Sequence, residues 1–143
     1  MEPRLSLVTL GVTDLPRSIA FYRDVVGWQP TSDGDGVAFF DLGGVVLGLW
    51  PHVELAADEG MPGQSAGPYH GFSLAYNCRS RDEVDEIFGR LSAAGVHIPK
   101  PPVETDWGGY SGYFADPDEH RWEVAWNPFW TVKPDGRIDL SGS

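Results

Sequence analysis

Basic residues are scarce in this chain. Lys and Arg together number 10 against 21 Asp and Glu, for a formal net charge of −11 and a sequence pI near 4.5. Nucleic-acid binding rests on cations that neutralise phosphates, so this balance excludes nucleic acid as the natural partner. An anionic membrane surface is disfavoured for the same reason. Cysteine is nearly absent: Cys78 stands alone, which rules out an intrachain disulfide and a thiolate zinc cluster. No apolar run approaches the ~20 residues of a membrane-spanning helix. The opening MEPRLSLVTLGV has too short an apolar run and the wrong flanks for a signal peptide. A cytoplasmic protein is expected.

Apolar residues are not lacking. The chain is 41% hydrophobic and 13% aromatic over 143 residues, enough for one core or for two small fused modules. Residues 5–12 form an apolar run and predict a strand. Asp14 then caps a helix with Pro16 in its first turn. Leu15, Ile19, Tyr22 and Val26 follow helical spacing, and Gly27 is suited to end it. A short strand is expected at 28–30, a turn at 33–36, and strands at 37–42 and 45–50 about a Gly43-Gly44 hairpin turn. Residues 51–69 hold scattered Pro and Gly without a period and read as a linker or lid loop.

The order then repeats. A strand is expected at 71–77, a Ser80-x-x-Glu83 capping box, and a helix whose buried face is Val84, Ile87, Phe88 and Leu91. Gly95 ends it. A short strand at 96–98, a break at 100–102 and a final hairpin follow. The hairpin is the most informative stretch. Tyr110, Gly112 and Phe114 alternate with Ser111, Tyr113 and Ala115, Asp116-Pro117-Asp118-Glu119 turns the chain, and Arg121 to Trp126 returns. The expected organisation is α+β: a βαβββ module at 4–50, the loop at 51–69, a second βαβββ module at 70–128, and a polar, loosely held tail at 129–143.

Two motifs, GVTDLPRSIAFYRDVVGW near the start and FADPDEHRWEVAW near the end, resemble those of the vicinal oxygen chelate superfamily. That superfamily holds glyoxalase I, the extradiol dioxygenases and the bleomycin-resistance proteins. The resemblance covers about residues 4–128. It implies paired βαβββ modules forming a curved, barrel-like mixed sheet around a central cleft. Glu119 stands where the superfamily usually has Gly, at a position of expected positive φ.

Metal-dependent members hold a divalent ion with four inward side chains, usually His, Glu, His and Glu. Matched motif by motif, those positions fall on Leu7, Gly48, Phe72 and Glu123. Only Glu123 is a donor, so the resemblance with this departure implies no metal and no cofactor. A slipped register offers His70, His120 and Glu123 as a partial site; the plainer reading leaves His120 solvated in the turn, gives His52 and His97 no partner by spacing, and makes all four His surface or half-buried structural residues.

What remains at the expected cleft is apolar and aromatic. Leu7, Gly48, Trp50, His70, Phe72, Trp107, Tyr110, Arg121 and Glu123 are the candidate ligand-binding residues. Six Trp and seven Phe would equally serve as ordinary core. Glu123 is the candidate catalytic base; the alternative is a structural carboxylate paired with Arg121. The expected function is metal-free binding or sequestration of a flat hydrophobic or cationic compound, as in the bleomycin-resistance type. The alternatives are a metal-independent isomerase or lyase using Glu123, or a metal enzyme of glyoxalase or dioxygenase kind. The resemblance also implies a homodimer, with Trp126, Pro128, Phe129 and Trp130 as candidate contacts.

Overall fold

A computed structural model describes residues 1–3, 5–31, 34, 36–64, 67, 70 and 72–141. The expected turn at 33–36, the start of the strand at 71 and parts of the 51–69 loop fall partly outside these residues. The chain divides into two compact units, Met1–His70 and Gly71–Ser143. Each is α+β with mixed strand directions.

In the first unit, β1 (Leu7–Val12) leads into α1 (Leu15–Ala20). The Asp14 carboxylate accepts the Arg17 N–H at 3.1 Å and caps α1. The helix then widens into a π-helical turn, Phe21–Val26, closed by Gly27 at φ 91°. This widening changes the expected buried face. Ser18 and Tyr22 are fully buried, while Leu15, Ile19 and Val26 are half-buried. The Tyr22 ring lies 6.0 Å from Trp28 and 5.9 Å from Phe40.

β2 (Ala38–Asp41) and β3 (Val46–Pro51) pair antiparallel, and β1 joins β3 in parallel, giving the order β1-β3-β2. Gly43 and Gly44 make the hairpin turn at φ 76° and 139°. The register sorts side chains by face. Leu10, Val12, Ala38, Phe40, Leu47 and Leu49 lie on one face and are buried. Leu7, Thr9, Gly11, Phe39, Gly48 and Trp50 lie on the other. The strand expected at 28–30 is absent. Pro30 has no N–H to donate, and the described chain next meets the sheet at Thr31, whose N–H and hydroxyl both donate to the Phe39 carbonyl, at 2.8 and 3.1 Å.

Residues 51–69, expected as a loop, carry α2 (His52–Asp58). Its Leu55 and Ala56 are half-buried, and Gly60 at φ 79° follows its end. The short H-V-E-L-A-A-D segment is rich in helix formers.

The second unit runs β4 (Leu74–Cys78), α3 (Arg81–Ala93), β5 (Lys100–Glu104), β6 (Tyr110–Ala115) and β7 (Arg121–Trp126), with sheet order β4-β7-β6-β5. Ser80 Oγ accepts the Glu83 N–H at 3.1 Å, and the Glu83 carboxylate reaches back to the Arg79 N–H at 2.7 Å. That is the expected capping box, displaced by one residue on its return arm. Val84, Phe88 and Leu91 are buried and Ile87 half-buried. At the other end Val96 N donates to Leu91 O and Gly95 N to Ser92 O, both at 3.0 Å, with Gly95 at φ 73°. These are the two bonds of a Schellman cap.

Two expectations change here. The strand at 96–98 reduces to one bond, Ala115 N to His97 O at 3.0 Å. The break at 100–102 is instead the start of β5. Pro101 and Pro102 are tolerated because β5 is an edge strand, and its register shifts between Lys100 and Val103. The tail also gains structure. β8 (Thr131–Val132) and β9 (Ile138–Asp139) form a ribbon turned at Gly136, and Arg79 donates to the Lys133 carbonyl at 2.7 Å.

Among the described residues the strands form three separate ladders, not one continuous barrel-like sheet. No helix among them is long and apolar enough to cross a membrane.

Gly112 fixes which face of the second sheet meets α3. A Cβ there would lie 2.8 Å from the Phe88 ring, 2.7 Å from Lys100 O and 2.8 Å from Pro102 N. Two of these neighbours are backbone atoms and cannot swing aside. Gly112→Ala is therefore expected to destabilise the protein by about 1–3 kcal/mol in urea unfolding, the scale of overpacking. An unchanged midpoint would contradict this packing.

Candidate ligand-binding site

The Gly112 contact orients the second sheet. Gly112 is paired with Val124, so Tyr110, Phe114, Trp122, Val124 and Trp126 share the α3 face. Leu74, Tyr76 and Cys78 join them across β4. The face away from α3 carries Ser111, Tyr113 and Ala115 on β6, Arg121, Glu123 and Ala125 on β7, and Ala75 and Asn77 on β4. One row crosses all four strands at Lys100, Tyr113, Glu123 and Ala75.

Tyr113 and Glu123 face each other directly in that row. The Tyr113 hydroxyl donates to Glu123 Oε2 at 2.7 Å, and both residues are half-buried. The Glu123 carboxylate that takes this proton holds the Tyr113 phenol above its ordinary 10.0, burial adds to the rise, and the Ser73 hydroxyl opposes it. Charge-assisted bonds of this kind are about twice as strong as neutral ones.

Arg121 stands two residues from Glu123 on the same face. Its guanidinium turns the other way, to Glu119 Oε2 at 3.3 Å. The other Glu119 oxygen lies 3.1 Å from His97 Nδ1. His97, expected to carry no partner, thus meets the β6–β7 turn. Glu119 holds φ 66°, and among the described residues it is the only non-glycine with positive φ. That conformation costs roughly 1–2 kcal/mol for a residue with a Cβ. Exposed ion pairs return only about 0–1 kcal/mol each.

The remaining candidates divide between the faces. Phe72 precedes β4, is 49% exposed, and stacks on the His120 ring at a centroid distance of 6.5 Å. His120, expected to be solvated in the turn, is 3% exposed. Trp107 is 46% exposed. Its indole lies across Gly109, where any Cβ would overlap the ring. Gly109 alternates with Ser111 and Tyr113, so the indole covers the end of the Glu123 face. Tyr110 belongs to the opposite face. Its hydroxyl donates to Asp85 on α3 at 2.6 Å, with the Arg81 guanidinium 4.7 Å above the ring. That hydrogen bond, then burial, raises the Tyr110 phenol above its ordinary value.

In the first unit Leu7, Gly48 and Trp50 share one face, as strand alternation requires. Leu7 is 43% exposed. Opposite Gly48 in the register stand Thr9 and Phe39, not Leu7. His70 is half-buried at the end of this unit. His52 opens α2 and its ring lies over Gly11, leaving no room there for a Cβ.

A divalent ion does not fit this donor set. Of the four positions that the superfamily resemblance marks, Glu123 alone offers a ligand atom, and the Tyr113 hydroxyl engages it. Among the described residues no three His, Cys, Asp or Glu side chains gather as a metal site.

Tyr113 and Ser73 are absent from the residues that the sequence singles out. The signal for Tyr113 was present: a turn closing between Ala115 and Arg121 sets residue 113 opposite 123. Ser73 is displaced by its neighbour, because Ala75, not Leu74, lies beside Glu123.

Comparison with known proteins places the chain. The profile of the Glyoxalase/Bleomycin resistance protein/Dioxygenase superfamily matches residues 4–124. Metallothiol transferase FosB of Lysinibacillus sphaericus (strain C3-41) is 33% identical over 112 residues, 78% of this chain and 74% of that protein. A bleomycin resistance protein of Geobacillus stearothermophilus is 27% identical over 123 residues, 80% and 90% of the two chains. The crystal structure of a glyoxalase-related enzyme from Fulvimarina pelagi superposes with a TM-score of 0.84 at 35% identity, covering 96% of this chain and 97% of the other.

The Tyr113–Glu123 bond has a pH signature. A phenol raised in the folded state contributes stability that is complete below the unfolded pKa of about 10 and is lost as pH rises through the folded value. Tyr76 and Tyr110 are raised as well. The difference between wild type and Tyr113→Phe isolates this pair. That difference in unfolding free energy is expected to be constant from neutral pH up to ~10 and to shrink above it. A pH-independent difference would contradict the bond.

Proposed function

Because this chain belongs to the Glyoxalase/Bleomycin resistance protein/Dioxygenase superfamily, we propose that it is a metal-free small-molecule-binding protein. Its ligand is a flat hydrophobic compound carrying a cationic or hydrogen-bond-donating group. The observation that carries this reading is the Glu123 carboxylate, half-buried and fixed by Tyr113 at 2.7 Å, at the one metal-ligand position that keeps a donor.

The chemistry of the positions favours binding over metal-centred reaction. Metallothiol transferase FosB is named for a metal and a thiol. Leu7, Gly48 and Phe72 supply neither donor nor acceptor side chains. The name of the bleomycin resistance protein of Geobacillus stearothermophilus suits a binding role better. Exposed aromatic area in the same unit supports a flat ligand: Phe72 is 49% exposed and Trp107 46%. A net charge of −11 draws cations from a distance.

Glu123 as a general base remains the competing reading within the same site. A carboxylate that already accepts a phenol proton is held in place as an acceptor, which favours the binding role. Homodimer formation is part of the proposal. Phe129 and Trp130 are exposed apolar residues suited to such a contact, while Trp126 lies half-buried on the α3 face of its own sheet.

Binding is tested by titrating the flat aromatic cation proflavine, with bleomycin and fosfomycin in parallel, and following tryptophan fluorescence. Saturable quenching is expected. Trp107→Ala or Phe72→Ala should cost about 1–3 kcal/mol, roughly a five- to 150-fold loss in affinity. Trp50→Ala tests the first unit in the same assay. Glu123→Gln keeps shape and an acceptor for Tyr113 but removes charge, so it should weaken the cation and leave the fold intact. Elemental analysis should find no stoichiometric Zn, Ni, Fe or Mn. Unaltered ligand recovered from the complex supports sequestration; a converted product makes the protein an isomerase or lyase. If none of the aromatic substitutions changes affinity for a bound compound, the site assignment fails.

A further inference from the structure

Glu119 is the strained residue of the described chain, and its strain has no structural reward. It adopts φ 66° where glycine would be relaxed. Its two contacts, a hydrogen bond with His97 and an ion pair with Arg121, join side chains that are each more than a third exposed. Such pairs contribute little to folding, so stability does not account for the choice of Glu over Gly.

The geometry suggests another role. Arg121 and Glu123 alternate onto one face of β7, two residues apart. A guanidinium on that stem is long enough to reach the neighbouring carboxylate. It does not: Glu119 Oε2 holds it at 3.3 Å beside the turn. Glu123 is left to Tyr113. The other groups on this face are the Ser73 hydroxyl, which bears on Tyr113, and Lys100, opposite Tyr113 in the register and exposed.

We propose that Glu119 is a specificity-determining residue that acts through Arg121. By holding the guanidinium at the turn, it keeps an internal cation off Glu123 and reserves that carboxylate for a cationic group of the ligand. Replacing Glu119 with Gly, the residue usual in the superfamily, releases Arg121 to neutralise Glu123 and turns the face toward neutral or anionic ligands. The inference rests on the binding reading above and adds to it the charge class of the ligand and the residue that sets it.

The test uses two flat probes of similar size and opposite charge, benzamidinium and benzoate, titrated by NMR against the full chain. Glu119→Gly should reduce the ratio of benzamidinium to benzoate affinity roughly two- to fivefold. Its melting temperature should hold or rise, since the strain is relieved. The Tyr113 phenol, followed by tyrosinate absorbance against the same variant carrying Tyr113→Phe, should titrate at lower pH, because the freed guanidinium favours phenolate. Adding Arg121→Gln to Glu119→Gly should restore the cation preference. A ratio that does not move, with or without a shifted Tyr113 titration, overturns the inference and leaves the binding reading standing. A ratio that falls and is not restored by Arg121→Gln also overturns it, because the effect then does not pass through Arg121. Wild-type protein that binds neither probe overturns the binding reading, and this inference with it.

Discussion

The second unit depends on how one buried carboxylate closes a turn. Asp116 is 2% exposed. Its Oδ1 accepts the backbone N–H groups of Asp118 and His120, each at 2.9 Å, while its own N–H and carbonyl bond His120 O and Glu119 N at 3.0 Å. A buried carboxylate is costly unless it is hydrogen-bonded, and here the bonds it makes also fix the turn. The turn sets the register of β6 against β7, with Ala115 opposite Arg121 and Tyr113 opposite Glu123. A slip of one residue would send Glu123 to the α3 face, among Phe114, Trp122 and Val124. The Tyr113–Glu123 bond, the position of Arg121 and the strain at Glu119 all follow from this closure.

The same turn shows how a local rule was broken in favour of a distant one. Backbone preference calls for glycine at residue 119. The glutamate found there spans the turn, reaching His97 on one side and Arg121 on the other. Neither contact is buried, and exposed pairs are weak. The contacts therefore explain where side chains point better than they explain how tightly the chain folds. Orientation matters at this spot because the next residue but one on the same face after Arg121 is Glu123.

Much of this was legible in the sequence, because capping and turn chemistry are local. Asp14, Ser80, Gly27, Gly95 and the Gly43-Gly44 turn all act within a few residues of themselves, and the positive φ of Glu119 could be read from the residue it replaces. The superfamily was legible from two motifs. What was not legible depended on long-range pairing. Pro101 and Pro102 read as a break because their tolerance depends on β5 being an edge, which only the sheet order reveals. His97 lacked a visible partner because Glu119 is 22 residues away. Alternation along β7 puts Arg121 and Ala125 on the face of Glu123, but that Ala75 is its neighbour on β4 follows only from the register. Helix α2 was hidden by the Gly and Pro residues around a short run of helix formers.

The absence of metal donors is likewise more than a set of side-chain losses. At Gly48 a Cβ alone would lie 3.1 Å from Thr9 Oγ1 and 3.4 Å from the Phe39 ring. The Thr9 hydroxyl would have to give by a few tenths of an ångström before even alanine fits, with the Phe39 ring already at contact. A ligating Glu or His needs further room for its whole side chain on that face. Thr9 and Phe39 are the register partners of Gly48, so their side chains share its face and crowd it directly. On the second sheet the retained carboxylate is already oriented by Tyr113. Packing in one unit and hydrogen bonding in the other have thus settled around side chains that do not ligate. Restoring a donor at Leu7, Gly48 or Phe72 alone would leave the other two of these positions without a ligand atom.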